Sequence, residues 1–360
     1  MKKPIRIKDI AEKAGVSTGT VDRVIHKRGN VSKKVEQKIL GIMEELGYKR
    51  NILASALAYN KTFRIGALLP NPDLDPYWKD PKSGVENAVE SVAHYGVVVT
   101  FYLFDLFDPE SFLARSDEMI NDSPDAILFP PMFTKESSIL LDKCHQKGIP
   151  NVMINTRIKN DDSLCYIGQD SYQSGVLAGR LLNFGLDEDS TVIILNLEKG
   201  SINAQHLIDK ELGFRGYFNN NANQHIEIEK YDFEDFDDEE LLKAFVDDLL
   251  DHHPNLLGIF VTNSRAYKLA AAISPSHIDH VKIVGFDLVP ANLEFLEQEK
   301  VNFLINQNAA QQGYFAVMSL FNHFILRQPV EKTQYLPLDI VVKENYSYYL
   351  QEQKAFQMAV

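Results

Sequence analysis

Cysteine and tryptophan are almost missing from this chain: its 360 residues include two cysteines, Cys144 and Cys165, and one tryptophan, Trp78. Two cysteines without metal-ligand spacing exclude a disulfide framework and a zinc knuckle. They read as reduced thiols of a cytoplasmic protein. No apolar run reaches the length of a membrane span. The segment Met1-Lys2-Lys3-Pro4-Ile5-Arg6-Ile7-Lys8-Asp9 also lacks the apolar stretch of a signal peptide, so neither export nor a membrane partner is expected. Catalytic motifs are missing too, with no Gly-x-Ser-x-Gly elbow, phosphate-binding Walker loop or zincin pattern. His252 and His253 are adjacent and cannot both face one metal from a helix. The acidic run Asp232–Glu240 lacks the glycine and ligand spacing of a calcium loop and reads as an acidic helix start. The expectation is a non-enzyme with no catalytic residue, metal or cofactor.

What the chain does have is a reversal of charge. Residues 1–61 hold 14 Lys and Arg against 6 Asp and Glu, a net of +8, while the whole chain is −13, leaving −21 for residues 62–360. An acidic body repels a polyanion, so a small basic head implies that the head alone approaches nucleic acid.

The head has helical periodicity. Ile7, Ile10, Ala11 and Ala14 form one apolar stripe, Gly15-Val16-Ser17 a turn, and Val21, Val24 and Ile25 a second stripe. A third helix is expected from Ser32, a good N-cap, to Leu46, with Val35, Ile39, Ile42, Met43 and Leu46 inward and Gly47 as its stop. This is a helix-turn-helix, whose second helix offers its first residues to base edges in the major groove. Its outward positions are Thr18, Gly19, Asp22, Arg23 and His26, and Arg23 suits bidentate contact to guanine. Lys33 and Lys34 begin the third helix, where positive charge opposes the helix dipole unless a phosphate lies there; the alternative is a solvated lysine pair.

From Phe63 onward, short apolar strands alternate with amphipathic helices. Arg64–Pro70, Val97–Tyr102, Ala126–Pro130, Asn151–Asn155, Thr191–Leu195, Gly258–Thr262 and Lys282–Phe286 read as buried parallel strands. Helical patterns at Gly84–His94, Ser171–Phe184, Glu239–His252 and Gln311–Leu326 lie among them. The alternation predicts parallel sheets covered by helices on both faces, with ligands bound beyond the carboxyl ends of the strands. Past those ends lie Asp75-Pro76-Tyr77-Trp78, Asn155-Thr156-Arg157, Thr262-Asn263-Ser264, Asp287 and Asn306-Gln307-Asn308. Aromatic faces and hydrogen-bonding side chains together are what a sugar requires. Plain structural roles compete: Trp78 as core, Asp287 and Asn263 as helix caps, Gln307 as a solvated loop residue.

The head resembles that of LacI/GalR-family transcriptional regulators. The resemblance rests on Ile7-Lys8-Asp9-Ile10-Ala11-Glu12-Lys13-Ala14-Gly15-Val16-Ser17, on Thr20-Val21 and Arg23-Val24, and on Val31-Ser32, Leu46-Gly47-Tyr48 and Asn51. It implies that Thr18, Gly19 and Arg23 read bases, that residues 51–58 form a hinge helix, and that Leu57 wedges into the minor groove. Candidate DNA contacts are then Ser17, Thr18, Gly19, Thr20, Arg23, His26, Ser32, Lys33, Lys34, Asn51, Ala54 and Leu57. Asp22 stands where the family usually has serine. Arg50 stands where many members have proline, which frees the backbone before the hinge. An eight-residue helix is marginal in water, so its folding is expected to couple to DNA binding.

The body resembles the sugar-binding-protein fold of the periplasm, most nearly its ribose-binding branch, which these regulators carry as effector domain. Pro76-Tyr77-Trp78, Ile167-Gly168-Gln169-Asp170, Ser174-Gly175, Gly179, Gly213-Phe214, Val284-Gly285-Phe286-Asp287 and Ile305-Asn306-Gln307 carry the match. It implies two doubly wound parallel-sheet subdomains with a ligand cleft between them. Tyr77 and Trp78 would stack on the sugar, and Asn155, Lys210, Asn263, Asp287 and Gln307 would hydrogen-bond it, with Arg157 in the role of the branch's arginine. Lys210 stands where many members have arginine, making a two-pronged clamp a point contact.

The expected organisation is a DNA-binding domain at 1–49, a hinge and linker at 50–61, and a ligand-binding domain at 62–360. Its N-subdomain spans about 62–168 and 290–328, its C-subdomain about 169–289 and 329–360. The function expected is a sugar-responsive regulator, a repressor bound as a homodimer to a near-palindromic operator in double-stranded DNA, since one helix-turn-helix reads only a short half-site. The last ten residues lack leucine heptads, so no tetramerising tail is expected. A solute receptor without gene regulation would need an export signal and no basic head. An enzyme on the same layers would need paired carboxylates or a nucleophile-base pair in the cleft.

Overall fold

Residues 5–25, 29, 31–46, 62–158, 162–184, 189–199, 205–220, 226–274, 277–278 and 280–351 are described by the computed structural model. The chain divides into two units, Met1–Asn60 and Lys61–Val360. His26, Gly47 and the hinge segment with Asn51, Ala54 and Leu57 lie outside the described residues, as do 352–360.

In the first unit, α1 (Ile7–Ala14), α2 (Thr18–Ile25) and α3 (Lys33–Glu45) surround one small core. Ile10, Ala11, Ala14, Val21, Val24, Ile39 and Ile42 are buried in it, with Val35, Met43 and Leu46 packed against them. The Asp9 carboxylate accepts from the Arg6 backbone N–H at 2.8 Å at the start of α1. Gly15 ends the helix at φ 68°, a left-handed conformation that favours glycine. Ser17 Oγ accepts from the Thr20 N–H at 3.2 Å, and Ser32 Oγ from the Val35 N–H at 3.4 Å, so a hydroxyl opens each of the other helices.

The second unit begins with β1 (Phe63–Pro70), α4 (Lys79–Val92), β2 (Val97–Phe104), α5 (Pro109–Asn121), β3 (Ala126–Phe129), α6 (Thr134–Lys147), β4 (Asn151–Asn155) and β5 (Cys165–Gly168). The same alternation follows in α7 (Ser171–Asn183), β6 (Thr191–Leu197), α8 (Gln205–Asn220), β7 (Glu227–Phe233), α9 (Glu239–His252), β8 (Leu256–Val261), α10 (Ala266–Ala272), β9 (Lys282–Phe286), α11 (Pro290–Glu297) and β10 (Phe303–Asn306). The chain closes with α12 (Ala309–Phe324), β11 (Thr333–Tyr335) and β12 (Asp339–Val341). One sheet runs β11-β5-β4-β3-β1-β2 and the other β12-β10-β9-β8-β6-β7, parallel except where β12 meets β10. The two orders are one pattern used twice, and they form two lobes.

The expected subdomain division needs correcting at its C-terminal end. Strand β10 pairs with β9, and α11 packs on α10, so 290–306 belong to the second lobe. Helix α12 packs on α4, β4 and β5, and β11 pairs with β5, so 309–335 belong to the first. The cause is strand pairing across the chain, which periodicity does not encode. The chain therefore crosses between lobes three times, near 169, 307 and 337. Gln169 Nε2 holds these crossings together, donating to Asn306 O at 2.9 Å and to Pro337 O at 3.4 Å.

Each lobe also contains one close helix crossing. A Cβ on Gly175 of α7 would lie 1.9 Å from the Lys210 carbonyl oxygen of α8, and one on Gly213 equally close to that of Tyr172. In the first lobe Gly84 and Gly313 meet Ala310 and Pro81 at 1.8 and 2.1 Å in the same way. Glycine is required there because backbone touches backbone. Both cysteines are buried free thiols, and burial pushes Cys144 up to about 12 and Cys165 up to about 11. Among the described residues, no helix is long and apolar enough to cross a membrane.

Candidate functional site

Two surfaces carry the candidate residues, one in each unit. In the first, the buried Val21 and Val24 turn the opposite side of α2 outward, so Thr18, Gly19 and Arg23 are exposed and Thr20 and Asp22 half-buried. Ser17 is exposed, and its Oγ lies 2.9 Å from Thr20 Oγ1, which orders the start of this helix. Ser32, Lys33 and Lys34 are exposed at the start of α3. The surface offers hydroxyls, a bare glycine and a guanidinium from one helix, and two ammonium groups from another. That set suits a groove floor and its flanking phosphates.

In the second unit, the carboxyl ends of both sheets face a chamber with about 50 Å³ of free space. Tyr77, Trp78, Asn155, Lys210, Asn263, Asp287 and Gln307 all line it. Tyr77 and Trp78 form a 3₁₀ turn started by Asp75, whose Oδ1 accepts from the Tyr77 N–H at 3.1 Å. Their rings meet edge to face with centroids 5.1 Å apart, and Trp78 is only 2% exposed. Asn155 Nδ2 donates to Tyr77 Oη at 2.7 Å. Burial, and then the charge of Asp287, pushes the Tyr77 phenol well up, so it stays a neutral hydroxyl.

Asn155 and Asp287 hold equivalent places, at the end of the fourth strand of each lobe. Both have positive φ, 65° and 67°. Asn and Asp tolerate this left-handed conformation better than other side chains, and it marks the two positions as functional candidates.

Asp287 is the centre of the polar chemistry. Its Oδ2 accepts from Gln307 Nε2 at 2.8 Å, and its buried Oδ1 has no partner among the described residues. Lys210, only 2% exposed, donates to the Thr262 carbonyl at 2.8 Å and sits 3.4 Å from the centre of the Phe286 ring. Burial raises the Asp287 carboxyl, which the Lys210 charge only partly offsets, and burial lowers the Lys210 ammonium, which Asp287 partly offsets. Asn263 is occupied internally: it donates to Leu197 O and Glu198 Oε1 and accepts from the Arg265 N–H, which is a capping arrangement.

Arg157 does not line this chamber, contrary to the expectation. The left-handed Asn155 turns the chain so that Thr156 is buried and Arg157 points to the other side. Its Nη2 donates to Tyr335 Oη at 2.9 Å, and its guanidinium lies 5.3 and 5.6 Å from the Tyr166 and Tyr335 rings.

The residues that sequence reasoning missed are Leu106, Met132, Glu198, His206 and Arg265, all in the chamber wall. Arg265 Nη2 reaches Asp75 Oδ2 of the other lobe at 2.6 Å, while Nη1 reaches Glu198 Oε1 and Leu197 O, both at 2.9 Å. Burial opposes its charge, but Glu198 and Asp75 outweigh burial and raise it. The signal was available: Arg265 stands two residues past Asn263, and Glu198 directly follows β6. His206 had no such signal. Its Nδ1 is buried without a partner among the described residues, and burial, with help from Lys210, lowers the imidazole to about 3.

Comparison with known proteins agrees with this geometry. Residues 6–51 match the description "Bacterial regulatory proteins, lacI family", and residues 65–325 match "Periplasmic binding protein domain". The ribose operon repressor of Halalkalibacterium halodurans is 24% identical over 94% of this chain and 96% of its own length. The regulator MalR of Streptococcus pneumoniae is 24% identical over 84% of this chain and 89% of its own. A crystal structure assigned to a LacI transcriptional regulator of Bacteroides fragilis superposes with a TM-score of 0.74 at 28% identity, over 80% of this chain and 100% of that one. A solute-binding protein of Agrobacterium vitis, solved with α-D-tagatopyranose bound, shares the fold at TM-score 0.69 and 24% identity, over 79% of this chain and 96% of that one. The chain belongs to the periplasmic binding protein domain family over most of its length and carries a regulatory domain of the bacterial lacI family at residues 6–51.

Proposed function

We propose that this DNA-binding regulator is a cytoplasmic homodimeric repressor whose affinity for a near-palindromic operator is set by a small sugar held between the two lobes. Residues 1–49 would contact DNA, with Arg23 on a base pair and Lys33 and Lys34 on phosphates. Residues 50–61 would form the hinge, with Leu57 in the minor groove. Tyr77, Trp78, Asn155, Lys210, Asp287 and Gln307 would hold the sugar.

The observation that carries the sugar reading is the chamber's pairing of chemistry. A buried carboxylate oxygen of Asp287 has no donor among the described residues, Lys210 and Gln307 stand nearby, and two aromatic rings line the same chamber. A sugar hydroxyl donates to the first, its oxygens accept from amines and amides, and its C–H face packs on the rings. The name of the ribose operon repressor, and the tagatopyranose in the neighbouring fold, support the same class.

The free space of about 50 Å³ lies far below the roughly 300–1,000 Å³ of ordinary small-molecule sites. Admitting a ring therefore requires the lobes to part and resettle, which is motion that can be passed to the DNA-binding unit. The test is thermal melting of the full chain with a panel of pentoses and hexoses, alongside Asp287→Ala. A sugar at about 100 times its Kd should add roughly 2.7 kcal/mol of stability, and the shift should vanish in the variant. An unchanged shift in Asp287→Ala removes the assignment of the chamber.

A further inference from the structure

Beyond the main chamber, a second cavity of about 320 Å³ opens beside the chain crossings between the lobes. Its walls continue those of the first. Helix α8 contributes Lys210 to the main chamber and Asp209 to the second cavity, and His206 lines both. The end of β4 is shared in the same way, with Asn155 facing the first and Thr156 and Arg157 the second.

We infer that the effector site extends through His206 into this second cavity, which takes a second, uncharged sugar ring, so that the effector is a disaccharide or glycoside. The inference rests on the sugar reading of the main chamber and deepens it.

Two buried polar atoms there lack partners among the described residues. They are His206 Nδ1 and Oε1 of Gln169, a residue only 4% exposed whose Nε2 is committed to the crossings between lobes. Buried polar groups are nearly always satisfied, so such atoms in a cavity wall call for an outside partner. A ring hydroxyl supplies one, as donor to Gln169 Oε1 and as donor or acceptor to the neutral imidazole.

The charge balance selects against a phosphorylated ligand. Among the described residues, Asp170 and Asp209 line the cavity with Arg157 as the one cation, and Arg157 is held between the Tyr166 and Tyr335 rings with its Nη2 on the Tyr335 hydroxyl. A dianion would face two carboxylates, whereas a neutral polyol meets hydroxyls, an amide and aromatic surface. A volume of 320 Å³ falls within the range of small-molecule sites.

Calorimetric titration of the full chain with D-ribose, D-glucose and D-galactose, and with maltose, cellobiose, lactose and trehalose, tests this. At least one disaccharide should bind about tenfold or more tightly than its component monosaccharides, because the second ring adds contact atoms. Leu212, 54% exposed at the cavity rim on α8, offers a block that leaves the core untouched. Leu212→Trp should reduce the disaccharide to the affinity of its monosaccharide and leave the monosaccharide itself within about threefold. Arg157→Ala should act in the same direction. A monosaccharide that binds while no disaccharide improves on it overturns the extension and leaves the sugar reading standing. Equal losses for both sizes in Leu212→Trp also overturn it. Binding of no sugar of either size overturns both readings.

Discussion

Arg265→Met removes a guanidinium that ties the two lobes by charge. The guanidinium is in contact with Asp75 of the first lobe and Glu198 of the second, and the three side chains are 8%, 10% and 16% exposed. Phe236 and Phe107 lie 4.8 and 5.6 Å from it, so the surroundings are apolar as well as closed. Removing one partner of a buried pair costs about 3–5 kcal/mol, because the charge left behind loses both water and counter-ion. Here two carboxylates are abandoned. An exposed pair such as Lys8–Glu12, 76% and 70% accessible, contributes about 0–1 kcal/mol by comparison.

The pH dependence has a definite sign. Burial already raises the Glu198 carboxyl, and loss of Arg265 raises it further. An acid whose folded value is raised contributes stability below its unfolded value and loses it as pH rises through the folded one. The deficit of Arg265→Met should therefore be larger at pH 8 than at pH 5. Trp78, the only tryptophan, sits three residues from Asp75 and reports the event in urea unfolding followed by fluorescence. Asp75→Asn is the control, since it keeps an acceptor for the turn and leaves Arg265 with Glu198; its cost should be about 1.5–3 kcal/mol. A loss below about 1 kcal/mol for Arg265→Met at pH 7 would place the pair among surface ion pairs and refute the reasoning.

Other perturbations follow from the same geometry. Gly175→Ala forces a methyl group against the Lys210 carbonyl, so it should destabilise the second lobe by about 1–3 kcal/mol and weaken sugar binding by moving Lys210; unchanged melting would show that α7 and α8 separate freely. The raised Asp287 carboxyl takes stability away as pH rises above the ordinary carboxylate range, and the lowered Lys210 amine restores it as pH rises toward the ordinary lysine range. Asp287→Asn combined with Lys210→Met should accordingly melt higher near neutral pH, with a flatter pH profile and no sugar response, by calorimetry; a lower melting point would mean that the two charges stabilise the chamber. In gel-shift titrations, Arg23→Ala should lose about 1–3 kcal/mol on operator but little on random DNA, while Lys33→Ala should weaken both and reduce the salt slope by about one. Parallel losses for both variants on both DNAs would erase the division between base reading and phosphate contact.

The head was legible in the sequence because three short helices around one core leave their period in the apolar residues. Ile10, Ala14, Val21, Val24, Ile39 and Ile42 are buried at the spacings read from the chain. Strands β1 to β4, β6, β8 and β9 were legible as apolar runs, while β5 and β10, inside their sheets but only four residues long, were not. Strand β7, Glu227–Phe233, was not: it lies at a sheet edge, and its half-exposed, charge-rich sequence has no such run. The lobe boundaries after residue 290 were hidden because β10 stays with its predecessor β9 while β11 pairs with β5, far earlier in the chain. Tyr77, Asn155, Asp287 and Gln307 could be found because parallel sheets present ligands at strand ends. Arg265 and Glu198 obey that rule, yet their value comes from Asp75, 190 residues away from Arg265 in the chain. Arg157 was misplaced because one left-handed residue, Asn155, reverses which side of the strand end it faces.

The most direct test of the account measures operator affinity of the full chain by fluorescence anisotropy with and without a saturating sugar, and sugar affinity with and without saturating operator. The account predicts that the sugar changes operator affinity by a factor of about 5–150, and that operator changes sugar affinity by the same factor, since coupling between sites is reciprocal. An operator affinity that stays constant while the cleft is saturated would contradict it.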